Sequence, residues 1–280
     1  MEAAVKKQLA KIALDIRTHS VEAVYYAKSG HPGGSLSVAD VLAYLYFEEM
    51  RVDSKNPGWE DRDRLVLSKG HCTPALYSAL SLKGFFPVCE LKNFRKLGHM
   101  LQGHPDMKKV PGVDMSTGSL GQGISAACGM ALSAKLSKKD YRVYTVLGDG
   151  ELEEGQVWEA AMFAAHYKLD NLCALVDFNC LQIDGDIRQV MSPLPIAGKF
   201  EQFGWNVIEI DAHDFEQIDA AYKQARCCKG RPTVIVARSV KGKGVSFMEN
   251  APEWHGSAPN QEQFEQAMSE LEAANKQLEG

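Results

Sequence analysis

Apolar residues recur at helical spacing from position 2 to position 27 and stop at the glycine- and proline-rich stretch 29–34, which reads as a break in regular structure. Helical spacing resumes over 37–50, with Ser37 as the expected N-cap. Residues 63–67 read as a short strand, 68–71 as a turn, and 73–83 as a helix closed by Gly84. Residues 98–123 hold eight glycines or prolines and little periodicity. They predict a long loop, and long loops in compact domains are usually functional.

From 124 onward the pattern is regular. It predicts helix 124–136, strand 142–147, helix 153–167, strand 172–177, a short helix 195–203, strand 205–210, helix 215–225 and strand 233–237. Strands that are apolar on both faces and alternate with helices imply a doubly wound α/β fold, a parallel sheet with helices on both faces. Ligands bind such sheets at the carboxyl ends of the strands, so the loops after 142–147, 172–177 and 233–237 are the places to look. The main domain is expected to span 1–260, followed by a polar helical tail over 261–280.

Composition narrows the function classes. The chain has 280 residues, 45% hydrophobic and 24% charged, with a net charge of -5. Acids and bases are interspersed and no long basic run occurs, which argues against nucleic acid as a partner. The first 17 residues mix charges with apolar positions, unlike a signal peptide. No uncharged run approaches the ~20 residues a membrane span needs. Seven cysteines without a C-x-x-C pair suit reduced, mostly buried thiols in a cytoplasmic protein. The vicinal Cys227 and Cys228 read as small apolar residues at a helix end.

The strongest chemical signal is Gly148-Asp149-Gly150-Glu151, directly after strand 142–147. Thirty residues beyond Asp149 comes Asn179, in Val176-Asp177-Phe178-Asn179, directly after strand 172–177. A right-handed βαβ unit sets these two strand ends side by side on one edge of the sheet. Asp149 and Asn179 then offer two oxygen ligands to a hard cation. Mg²⁺ takes six oxygens at about 2.1 Å and is commonly held by one or two protein groups plus phosphate oxygens. Gly150 leaves room for a phosphate against the backbone, and the following helix N-terminus favours negative charge. Singly, Gly-Asp-Gly is a common turn and Asn a common left-handed residue. The pair, at this spacing and behind two apolar strands, reads as a metal clamp for a diphosphate.

Among the histidines beside glycine, four in expected loops are singled out: Gly30-His31, Gly70-His71, Gly103-His104 and His255-Gly256. Each alone is an ordinary surface histidine. Together they suit a substrate with several hydroxyls and reactions that move protons at a carbonyl carbon. His19, His99, His166 and His213 are read as structural or surface residues.

Gly-Asp-Gly followed some thirty residues later by Asn resembles the motif of thiamine-diphosphate enzymes. The segments Ser29-Gly30-His31-Pro32-Gly33-Gly34, Leu67-Ser68-Lys69-Gly70-His71, Gly103-His104-Pro105-Asp106 and Thr117-Gly118-Ser119-Leu120-Gly121-Gln122-Gly123 resemble the signatures of transketolases, in that family's order. Trp254-His255-Gly256 resembles the late histidine of the animal-type enzymes. The resemblance runs from about residue 10 to 260. It implies thiamine diphosphate with Mg²⁺, or Ca²⁺ or Mn²⁺ in its place, held by Asp149, Asn179 and the backbone carbonyl of Leu181. It places Ile183 near the thiazolium ring, Gly118, Ser119 and Leu120 against the cofactor, and Lys241 beside the diphosphate. It also implies that His31, His71, His104 and His255 contact the sugar hydroxyls, the carbonyl or the diphosphate. Glu154 and Glu159 match acidic residues buried at the family's subunit contact, and Glu154 is counted with the cofactor set. Two departures stand out: Gly34, where some members carry a hydroxyl residue, and Phe178, where Asn is frequent.

The family's second domain supplies a glutamate to the aminopyrimidine and an aromatic side chain that stacks on it. No second α/β pattern follows residue 260. The chain is therefore expected to be the N-terminal subunit of a split transketolase, forming an α2β2 assembly with a separately encoded C-terminal subunit. The expected reaction moves a two-carbon ketol unit from a ketose phosphate to an aldose phosphate. Other split thiamine enzymes, of the 2-oxo-acid dehydrogenase α or deoxyxylulose-phosphate synthase type, share the clamp but not the histidine signatures. A non-catalytic regulatory relative fits poorly with intact Asp149, Asn179 and all four histidines.

Overall fold

Five segments with apolar side chains on both faces form the sheet. The computed structural model describes residues 1–279; Gly280, the end of the expected tail, lies outside them. The strands are β1 (Arg64–Leu67), β2 (Val143–Gly148), β3 (Leu172–Phe178), a small antiparallel hairpin β4 (Leu181–Gln182) and β5 (Gly185–Asp186), then β6 (Asn206–Asp211) and β7 (Thr233–Arg238). The main sheet has the order β1-β2-β3-β7-β6 with every pair parallel. The doubly wound α/β expectation holds, and each of the five expected strands is present. β3 is central, flanked by the other two strands whose following loops carry the sequence signals.

The helices are α1 (Ala3–Ala27), α2 (Pro32–Ser37), α3 (Ala39–Tyr44), α4 (Thr73–Lys83), α5 (Gln122–Leu136), α6 (Gly155–His166), α7 (Ile187–Val190), α8 (Ile196–Gln202), α9 (Phe215–Cys227) and α10 (Gln261–Glu279). Strand side chains alternate between two cores, as a pleat requires. Leu65, Leu67, Val146 and Leu175 join the core of α3, α4 and α9. Val66, Val143, Leu147 and Val176 join that of α5, α6 and α8. A third, smaller core with Val21, Trp254, Ala267 and Leu271 seats α10 against α1, so the tail helix is amphipathic and docked.

Three local expectations need correction. The stretch 29–34 is not simply a break, because α2 starts inside it. His31 takes the N-cap position and Pro32 the first turn, where its missing N–H costs nothing. Gly33 and Gly34 are helical and serve close approach: a methyl at Gly33 would lie 2.9 Å from the Trp254 carbonyl oxygen, and one at Gly34 2.8 Å from Cys72 Sγ. Ser37 is not an N-cap. It ends α2, and its hydroxyl donates to the Gly34 carbonyl (3.0 Å) and to Asp177 Oδ2 (2.7 Å). Finally, the seven cysteines are all free, but only Cys72, Cys128 and Cys173 are buried, while Cys89 and Cys227 are exposed.

A buried polar cluster braces the site from behind. Arg17 on α1 donates through both terminal nitrogens to Asp40 on α3. His213 donates from Nδ1 to Asp40 Oδ2 (2.7 Å) and accepts from the Val240 N–H at Nε2 (2.9 Å). Burial alone would raise the Asp40 carboxyl, but the Arg17 guanidinium and the His213 hydrogen bond hold it at about 2. The cluster fixes the chain leaving β7, one residue before Lys241.

Candidate active site

Asp177, at the carboxyl end of β3, ties three strand-end loops to a helix end. It accepts from Ser37 at the end of α2, Lys69 after β1, Asn179 after β3 (3.1 Å) and Ser239 after β7. Lys69 also donates to the Gly34 carbonyl (3.0 Å). Both charges are buried, at 1% and 2% exposure. Burial would raise the Asp177 carboxyl, yet the Lys69 ammonium holds it below its ordinary value. Glu151 does similar work at β2: it accepts from Ser68 Oγ (2.5 Å), the Gly121 N–H (2.8 Å) and the Gly148 N–H (3.0 Å). It thereby ties the 117–121 loop to the Gly-Asp-Gly turn.

Asp149 and Asn179 come together as the strand spacing requires. Asp149 Oδ1 accepts from the Gly150 N–H (2.8 Å) and Oδ2 from the Cys180 N–H (2.6 Å). Cys180 adopts a left-handed backbone, φ 66°, and Asn179 Oδ1 accepts from the Leu181 N–H (3.0 Å). Burial, followed by the neighbouring Asp177 charge, pushes the Asp149 carboxyl up to about 7. Lys241 donates to the Leu181 carbonyl (3.0 Å) and to His255 Nδ1 (2.8 Å). Burial and then the Lys69 charge lower its ammonium to about 8. Both of these hydrogen bonds go to uncharged groups.

These residues wall a cavity of about 190 Å³. Asp149, Gly150, Asn179, Leu181, Ile183, His71, Leu120, Lys241 and His255 all line it, and so does the exposed Glu154. His31 stands just outside, its ring centroid 5.1 Å from that of His71 and 5.5 Å from that of His255. His71 and His255 are themselves 5.1 Å apart. His104 does not line the cavity; it packs against Gly118, where an added methyl would sit 3.1 Å from its ring. Gly118 and Ser119 do not line the cavity, and Glu159 lies on the exposed face of α6 away from it. His99 also follows a glycine, yet its Nε2 bonds Glu90 (2.8 Å), so glycine adjacency alone does not select site histidines. His19 pairs with Glu22 (2.9 Å).

The oxygen set suits a hard cation. It comprises one carboxylate, one amide and one backbone carbonyl. Among the described residues no three His, Cys, Asp or Glu side chains gather as a metal cluster. Such a set leaves room for phosphate oxygens to complete the coordination. No helix among the described residues is long and apolar enough to cross a membrane. Sequence reasoning missed Lys69, Asp177, Glu151 and Arg95. The first three lie inside the sequence motifs themselves, and a charge that ends an apolar strand was the signal available for Asp177.

The three clustered imidazoles are held neutral. Burial, then the Arg95, His104 and Lys241 charges, lowers His31 to about 4. Burial, then Lys241 and His31, lowers His255 to about 3, and His71 is lowered for the same first reason. In the unfolded chain they titrate near 6.5. Between those values the unfolded chain binds more protons, so their contribution to stability falls as pH falls through that window. Asp149, raised on folding, acts in the opposite direction. Thermal unfolding between about pH 7 and pH 5 is expected to show a shallower loss on acidification for His255→Gln than for the wild type. Equal slopes would refute neutral burial of His255.

Fold and pocket together define an α/β domain with a binding cavity at the carboxyl edge of its parallel sheet. The family model described as transketolase, thiamine diphosphate binding domain, matches residues 8–278. The 6-deoxy-6-sulfo-D-fructose transketolase subunit SqwG of Clostridium sp. strain MSTE9 is 48% identical, over 92% of this chain and 94% of that one. One of the apulose-4-phosphate transketolase subunits of Phocaeicola vulgatus is 43% identical, over 94% of this chain and 93% of that one. The crystal structure of transketolase from Campylobacter jejuni superposes with a TM-score of 0.89 at 34% identity, over 97% of this chain and 45% of that one. The chain belongs to the transketolase family, as its thiamine diphosphate binding domain.

Proposed function

We propose that this chain holds the diphosphate of thiamine diphosphate through a divalent cation, Mg²⁺ by its oxygen chemistry, and serves as the diphosphate-binding subunit of a two-chain transketolase. One observation carries the reading. Asp149, Asn179 and Leu181 wall the same small cavity as the Lys241 ammonium, an arrangement suited to a cation and the anion it bridges. When bound, thiamine diphosphate supplies the carbon nucleophile and electron sink for the transferred two-carbon unit. The chain's own residues bind and orient. Asp149, Asn179 and the Leu181 carbonyl would hold the cation, and Lys241 would face the diphosphate. The neutral imidazoles of His31, His104 and His255 would donate to or accept from sugar hydroxyls, and move protons there.

The two subunit relatives are named for a sulfonated ketose and a ketose phosphate. The same chemical class is proposed here: a ketose donor and an aldose acceptor, each bearing an anionic end. A partner chain would supply the pyrimidine-binding half, and the family's symmetry suggests α2β2. The relatives' designation as subunits supports this, as does exposed apolar surface at the carboxyl end of α6 and in the segment after β3. Met162 (53% exposed), Phe163 and Tyr167 lie at α6, and Ile183 (63%) and Met191 (63%) follow β3. Surface of this kind is characteristic of interfaces. The free cysteines favour a cytoplasmic setting.

The test is co-expression with a neighbouring pyrimidine-binding chain, followed by assay of ketol transfer from anionic ketoses with Mg²⁺ and thiamine diphosphate. The pair is expected to turn over and this chain alone to be inactive. Robust turnover by the single chain would overturn the two-chain reading. A correctly assembled pair that is inert on every ketose would overturn the transferase reading.

A further inference from the structure

Arg95 is the charged residue beside the histidines that the cofactor reading leaves unused. It sits in the long loop between α4 and α5 with a left-handed backbone, φ 60°, a conformation a bulky residue adopts at a cost. Its N–H donates to the Leu101 carbonyl (2.7 Å), which closes the loop on itself. Thr73 and Tyr77 on α4 then anchor the loop's far end, donating to the carbonyls of Gly103 (3.0 Å), Gln102 (3.0 Å) and His104 (3.1 Å). The guanidinium packs flat against Gly103, where an added methyl would lie 2.7 Å from Cζ. It reaches across to the segment before α2. Nη1 donates to Ser29 Oγ (2.9 Å), and Nη2 meets His31 Nδ1 at 3.5 Å. Nε is buried without an acceptor, and among the described residues Arg95 enters no ion pair.

The polarity of the His31 contact follows from the chemistry of the two groups. A guanidinium has five N–H donors, no acceptor, and stays charged at any physiological pH. Facing it, His31 Nδ1 must present its lone pair. The single proton of the neutral ring then resides on Nε2. That edge faces Gly256, beside His255: a methyl on Gly256 would lie 3.7 Å from both Cδ2 and Nε2 of His31.

We propose that Arg95 is a positioning residue that fixes His31 as the Nε2–H tautomer, so that His31 meets a sugar hydroxyl as a hydrogen-bond donor of set direction. This rests on the sugar-transfer reading for its catalytic consequence, but not for the tautomer itself. The charged and titratable groups around His31 all act in one sense: Arg95 and His104 from the loop, Lys241 from the segment after β7, His71 after β1 and His255 after β7. None is a carboxylate that would favour the imidazolium.

The tautomer is read on the full chain by long-range nitrogen–proton NMR of ¹⁵N-histidine, with His31→Gln assigning the signal. Wild type is expected to show Nε2–H near neutral pH. Arg95→Met is expected to give mixed tautomers and an upward-shifted titration. An Nδ1–H or charged His31 in the wild type, or an unchanged tautomer in Arg95→Met, would overturn the proposal. This readout is independent of turnover, so an inactive enzyme with the expected tautomer would fault the transferase reading instead. On the assembled enzyme, Arg95→Met is expected to lower kcat/KM roughly tenfold, the scale of one hydrogen bond to a charged group, with thiamine diphosphate affinity unchanged. Arg95→Lys, which keeps a charged N–H donor group, should recover part of it. In a His31→Gln background Arg95→Met should have little further effect, because both changes act through one group. Additive losses there would show a role unrelated to His31 and sink the assignment.

Discussion

Asp149→Ala is expected to abolish the cation-dependent binding of thiamine diphosphate, a loss of more than ~100-fold in affinity. Altering outer-shell partners of metal ligands already costs ~10–100-fold, and Asp149 is the one charged group of the proposed oxygen set. The carboxylate is buried and pushed up to about 7 in the free chain, so it gains most from a bound cation. The binding is readable without activity. A ligand at 100 times its Kd adds about 2.7 kcal/mol to the stability of the folded state, and the wild-type unfolding midpoint should rise when Mg²⁺ and thiamine diphosphate are added together. Asp149→Ala should show no such rise. Removing the carboxylate also strands the Gly150 and Cys180 N–H groups, so the midpoint without ligands must be measured alongside. A full ligand-induced shift in the variant would exclude Asp149 as the anchor.

Lys69→Met is expected to cost roughly 3–5 kcal/mol, the usual penalty for leaving one partner of a buried ion pair uncompensated. Asp177 would keep donors from Ser37, Asn179 and Ser239, but no countercharge within a site almost closed to solvent. Asp177→Leu should be comparably damaging for the opposite reason, with a buried ammonium left alone. The double variant is expected to be less destabilised than the sum of the two, since replacing both charges by apolar groups removes the orphan. Urea denaturation of the four proteins tests this. A cost below about 1 kcal/mol for Lys69→Met would mean that water or another cation compensates Asp177, and that the pair does not hold these segments together.

The sheet was legible in the sequence because its strands, apart from the mixed edge strand β6, are apolar runs bounded by turn residues, a pattern that depends on burial alone. The α2 region was not. Gly33 and Gly34 look like breakers until Trp254 and Cys72 are known to press against them, and both neighbours are distant in sequence. The Asp149–Asn179 pair was legible because a βαβ unit converts spacing into adjacency. Lys69 and Asp177 each belong to a motif but could not be joined, since 108 residues separate them and a single buried charge has no periodicity. Arg95 was invisible for a related reason: its place depends on a left-handed turn and a flat approach to Gly103, neither of which a propensity can express. The cysteines were misjudged in part because composition carries no information on position.

Asp177 has a consequence for how this molecule can change. One carboxylate gathers Ser37 at the end of α2 with Lys69, Asn179 and Ser239 from three strand-end loops, and Asn179, Leu181 and Lys241, expected to grip the cation and diphosphate, are built on two of those loops. A substitution near any one of them is felt by all. His31 and His104 have further fastenings of their own, through Arg95, Thr73 and Tyr77. A library aimed at new sugars should randomise around 29–31 and 95–106 and leave the strand ends untouched; variants with altered donor preference and undiminished hold on the coenzyme would then be common rather than rare.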